Sequence, residues 1–102
     1  MVPQAERFQV ARRALMLPHR KGENESIAEA MHSIMLVIDR DLPAELCDDS
    51  AAMLRELASL VSTDGESHLE KAASLSDDDR IQFSRLVDEL ASEFLRLEAL
   101  SA

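Results

Sequence analysis

Between Ser76 and Leu100 the chain places Phe83, Leu86, Val87, Leu90, Phe94 and Leu97 three or four residues apart, with mostly charged or small residues between them. Apolar residues at that spacing lie along one side of an α-helix. The pattern predicts a long amphipathic helix from Ser76 to about Leu100. Ser76 is its cap, and Asp77, Asp78 and Asp79 fill the first turn, where free N–H groups and the helix dipole favour carboxylates.

Four shorter segments precede it. Phe8, Ala11 and Leu15 mark a first helix from about Gln4 to Leu17, which Pro18 ends because the residue before a proline resists helical backbone angles. Residues 18–22 read as a polar connector. Ile27, Ala30, Met31, Ile34 and Ile38 mark a second helix, predicted to start at Ser26 through the capping box Ser26-x-x-Glu29 and to run to about Arg40. Asp41, Leu42 and Pro43 break the pattern. The third helix starts either with Pro43 in its first turn or at Asp48 or Asp49, and turns Leu46, Met53, Leu54, Leu57, Leu60 and Val61 inward. Thr63, Asp64 and Gly65 end it. A short helix from Glu66 to about Leu75 offers only Leu69, Ala72 and Ala73 at helical spacing. The short connectors predict that consecutive helices pack antiparallel. The fold expected is all-α, a compact four- or five-helix bundle with the longest helix C-terminal.

Composition agrees. A chain of 102 residues with 46% apolar residues, two Gly and three Pro suits one helical core and one domain spanning residues 1–102. The longest apolar run, Ile34 to Ile38, falls far short of the ~20 residues of a membrane-spanning helix, so no membrane partner is expected. Residues 1–21 lack the apolar stretch and cleavage site of a secretory signal. Cys47 is the only cysteine, which excludes an internal disulfide and a cysteine-built zinc site and fits a reducing cytoplasm. The excess of arginine over lysine suits a GC-rich bacterial coding sequence.

Charge refines the picture. The net charge is −9, yet residues 1–21 carry Arg7, Arg12, Arg13, Arg20 and Lys21 against Glu6 alone. A basic helix on an acidic body is expected to pack on acidic helices of its own chain or of a second copy, with Arg12 and Arg13 as contact candidates. Direct nucleic-acid binding is not expected. The acidic body repels phosphate, and the basic segment is short, with Phe8 its only aromatic.

The sharpest chemical candidate is Glu25, Glu29 and His32, which carry the Glu-x-x-His spacing of carboxylate-bridged metal sites. At ~100° per residue these side chains and Asp39 share one sector of the second helix, opposite the apolar stripe. They point away from a bundle core, and His68 has Gly65 where a second Glu-x-x-His would need its acid. The face reads as solvated, and a metal site there requires two copies to pair. Asp77 to Asp79 lack the alternation, turn glycine and distal Glu of a calcium loop. Cys47 has no flanking histidine. With a helix starting at Pro43, it sits at the edge of the apolar face as a packing residue. His19, His32 and His68 show no spacing for a catalytic pair or a zinc site. Neither a phosphate-binding glycine loop nor a nucleophile elbow occurs. The chain is expected not to be an enzyme and to need no cofactor.

Met31 and Met53 are expected in the core, Met16 and Met35 at its margins as contact candidates. Leu36, Ile81 and Leu95 lie off the predicted stripes, and several such residues suggest a seam for another protein or for a homodimer. The functional expectation is a non-catalytic protein–protein interaction or regulatory adaptor protein, of the kind that includes small antagonists, immunity proteins and antitoxins. The alternatives are a metal-binding helical homo-oligomer and an acidic mimic of nucleic acid that blocks a nucleic-acid-binding protein.

Overall fold

The long apolar stripe organises the molecule. The computed structural model describes residues 2–16, 22–38, 42–63 and 65–101, with helices α1 (Pro3–Ala14), α2 (Glu23–Met35), α3 (Asp48–Val61), α4 (His68–Ser74) and α5 (Asp77–Ser101). No strand occurs among the described residues. At ~1.5 Å per residue the 25 residues of α5 match the 37 Å long axis of the molecule. Ser76 Oγ accepts the Asp79 N–H at 3.1 Å, so the cap is formed as expected and the three aspartates stand exposed in the first turn. All six stripe residues from Phe83 to Leu97 are buried.

Two helices lie on α5, each antiparallel to it. Phe8 of α1 packs against Phe94 with ring centroids 5.1 Å apart, and Arg12 meets Asp88 at 3.7 Å. In α3, Ser50 reaches Glu93 while Glu56 accepts from Gln82 Nε2 at 2.8 Å. On α1 also rests α2, where Ser33 Oγ donates to the Arg7 carbonyl at 2.8 Å. Outermost, α4 packs on α2, giving the spatial order α4, α2, α1, α5, α3. Among the principal pairings only α1 with α2 joins consecutive helices, which corrects the expectation of neighbour-on-neighbour packing. The α5 stripe is the longest apolar surface, and both α1 and α3 bury their faces on it.

Boundaries shift for local reasons. α1 ends at Ala14, before Leu17. α2 starts at Glu23, one turn before Ser26. Its cap is Gly22 at φ +97°, a conformation that glycine adopts readily, and Glu23 and Glu25 occupy the first turn. Ser26 lies buried inside the helix, so Ser26-x-x-Glu29 is not a capping box. α2 ends at Met35 in a turn that carries the Val37 N–H to the Ile34 carbonyl. Of the two starts weighed for α3, Asp48 is the one adopted, with Pro43 to Leu46 forming a separate turn. Ser67 caps α4 by accepting the Glu70 N–H at 3.1 Å. This helix makes under two turns and turns a single line inward, taken by Ala72 and by Leu75 just beyond its end. Leu69 and Ala73, also expected inside, are exposed.

The core gathers Phe8, Ile27, Met31, Ile34, Leu57 and the α5 stripe, with Met53, Leu15, Leu46, Leu60 and Ile38 partly buried against it. Met16 and Met35 are exposed, as their marginal positions implied. Expectations placed on Met1, on residues 17–21 (His19 among them), on residues 39–41 and on Asp64 fall outside the described residues. No helix among the described residues is long and apolar enough to cross a membrane.

Candidate functional site

The side chains that packing leaves over collect in a groove between α1, α2 and α4. Because Ser33 turns into the core to reach the Arg7 carbonyl, its neighbour His32 is carried to the edge of α2 that faces α4. There His68, the first residue of α4, meets it edge to face, with ring centroids 5.9 Å apart and an interplanar angle of 61°. Arg7 and Val10 of α1 line the same open groove with Ala28, Glu29 and Leu36, over a volume of about 510 Å³. The exposure of Leu36 has a simple cause: it is the C-cap of α2, at the point where the helix stops, and not a residue in mid-face. Val10 is 40% and Leu36 46% exposed.

The metal candidates divide. Glu29 and His32 share the groove; Glu25 is exposed but is not part of its lining. Among the described residues, no three His, Cys, Asp or Glu side chains converge on a point that could hold a metal. The His32–His68 pairing escaped sequence reasoning. Helical periodicity relates residues within one element, and nothing in the spacing places α4 on α2.

A second polar group ties α3 to α5. Cys47 is exposed, which corrects its assignment as a packing residue: α3 starts at Asp48, so Cys47 is its N-cap and lies on no helical face. Its Sγ stands 3.2 Å from Ser50 Oγ and 3.6 Å from Glu93 Oε2, and Ser50 Oγ donates to Glu93 at 3.3 Å. Arg96 Nε holds the other carboxylate oxygen at 2.6 Å. That hydrogen bond is the main reason the Glu93 carboxyl titrates below its ordinary range, although partial burial opposes it. The Arg96 guanidinium is raised by the same contact. Glu93 therefore stays ionised with both oxygens engaged.

Comparison of the chain with protein-family models, with curated proteins and with solved structures finds no match.

The remaining contact candidates do not form one site. Leu36 lines the groove described above, and Ile81, 69% exposed, lines a separate one with Glu23, Asp77, Arg80 and Ser84. Leu95 is exposed and lines neither. Arg12 is used within the chain: it meets Asp88 and donates to Gln9 Oε1 at 2.8 Å. Arg13 is exposed.

Proposed function

We propose that this protein is a non-catalytic interaction module, a regulatory or adaptor protein of a bacterial cytoplasm. In this reading it receives an apolar segment of another protein in the groove between α1, α2 and α4. The observation that carries it is the gathering of Val10, Ala28 and Leu36 from two helices into a groove with Arg7, His32 and His68 on its walls. Met35 and Leu69, next in sequence to Leu36 and His68, are also exposed. Apolar side chains grouped in this way mark contact surfaces more often than scattered ones do. Arg7 and the histidines suit a segment that carries a carboxylate beside its apolar residues. A non-catalytic role is supported by Cys47, whose contacts, Ser50 and Glu93, supply no imidazole base.

Affinity capture from the native cell tests this with three variants. Leu36→Glu and Val10→Glu are expected to lose a partner that wild type retains, and Leu95→Glu, outside the groove, to keep it. Retention by both groove variants sinks the proposal. Self-association is the second reading, favoured by the exposure of Ile81 and Leu95 on α5 in addition to Leu36. A monomeric mass by light scattering at high protein concentration and low salt excludes it. A dimer that survives both Leu36→Glu and Leu95→Glu excludes those residues as its seam.

A further inference from the structure

Two imidazoles from different helices line one groove with their rings in contact, and imidazole is the side chain that most often binds transition metals. We infer that His32 and His68 form a two-histidine site for a divalent transition-metal ion of the zinc, copper or nickel type, and that the ion clasps α4 to α2.

The geometry supports this at the level of the rings. Metal–nitrogen bonds to histidine are ~2.0–2.1 Å, so two imidazoles bound to one tetrahedral ion have centroids roughly 5 Å apart. The observed separation is 5.9 Å, in an edge-to-face arrangement. His32 is exposed and His68 only partly buried, so both rings have room to turn toward a shared ion. Imidazole nitrogen suits zinc, copper and nickel and suits calcium and magnesium poorly, which fixes the class of ion. Because no third His, Cys, Asp or Glu converges with the pair among the described residues, water completes the coordination shell. Arg7 in the same groove opposes a cation, and the Glu29 carboxylate one turn before His32 offsets it.

The placement gives the ion a structural consequence. Of its principal pairings α4 has only the one with α2, and within its seven residues Ala72 alone is buried. A helix so lightly held opens before the rest of the molecule. An ion bound to one side chain from each helix binds the closed arrangement and not the open one, and therefore stabilises it. The inference does not rest on the docking reading, because it concerns the purified chain without a partner.

The experiment is titration of the purified, chelator-treated protein with Zn²⁺, Cu²⁺, Ni²⁺, Mg²⁺ and Ca²⁺. Isothermal titration calorimetry reads stoichiometry and affinity, and amide hydrogen exchange reads the opening of α4. The expected result is one Zn²⁺ or Cu²⁺ per chain, slower exchange in α4, and no response to Mg²⁺ or Ca²⁺. His32→Ala and His68→Ala, which leave the core intact, are each expected to weaken binding by at least about tenfold, the loss that even an outer-shell partner causes. Three outcomes overturn the site. One is the absence of zinc or copper binding. Another is binding unchanged in both variants, which puts the ion elsewhere. The third is one ion per two chains with a dimeric mass, which replaces the single-chain clasp by an intermolecular site.

Discussion

Leu90 and Leu95 lie on the same helix and differ in the direction they face, so the same substitution at both measures the core. Leu90 is fully buried and Leu95 is 39% exposed. Leu→Ala removes three carbon groups, a transfer loss of about 2.4 kcal/mol at ~0.8 kcal/mol each. At position 90 the packed surroundings relax only in part. A residual cavity of up to ~80 Å³ at ~24 cal/mol per Å³ then adds as much as ~2 kcal/mol. Leu90→Ala is therefore expected to cost about 2.5 to 4.5 kcal/mol, a large share of the ~5–15 kcal/mol that holds a domain of this kind together. Leu95→Ala is expected to cost less than about 1 kcal/mol, reduced further by the better helix propensity of alanine. Urea unfolding followed by far-ultraviolet circular dichroism separates the two. The Leu90 midpoint should fall by more than about 1 M with the slope unchanged. Equal losses, or a larger one at Leu95, would show that the inward face of α5 has been misassigned.

Two further outcomes are expected. Ser76→Ala should cost about 0.5 to 2 kcal/mol, because the Asp79 N–H loses its acceptor, and equilibrium unfolding measures this; excess Ca²⁺ should not restore it. Arg96→Gln should destabilise the protein at neutral pH and not in acid. The Glu93 carboxyl is held below the 4.5 of an ordinary glutamate chiefly by Arg96, so its contribution is present above that value and lost as pH falls through the lower folded one. Unfolding curves for wild type and variant should converge in acid, and a gap that persists there refutes the ion-pair account.

Where a helix is long and its apolar stripe complete, the pattern of residues was sufficient. Each stripe residue in α5 is buried and Ser76 caps it, because 25 residues repeat the same signal many times. Short signals misled. Ser-x-x-Glu occurs at Ser26 and at Ser67, and only the second caps a helix. What decided the first was Gly22 together with the acids Glu23 and Glu25, which draw the start of α2 one turn earlier. Burial of Cys47 follows only from a helix that starts at Pro43, and α3 starts at Asp48, which leaves Cys47 exposed. The groove was half legible: Leu36 stood out as an apolar residue among charges, and Glu29 and His32 as a shared face. His68 did not stand out as their neighbour, since that contact depends on α4 crossing back to α2, and the packing of one helix on another is decided by the competition of all faces for the α5 stripe.

That competition has a consequence for biosynthesis. Because α5 follows the other four helices, Phe8 waits for Phe94 and α3 waits for its antiparallel partner until the 25 residues of α5 have left the ribosome. At ~5–20 residues per second that delay lasts on the order of seconds. During it the apolar faces of α1 and α3 are open to solvent and to chaperones, and only the α1–α2 pair can form among consecutive helices. Folding of this small helical protein is thus tied to the helix pair most distant in sequence, and a chain halted before Asp77 leaves α3 without its principal partner and α1 closed on α2 alone.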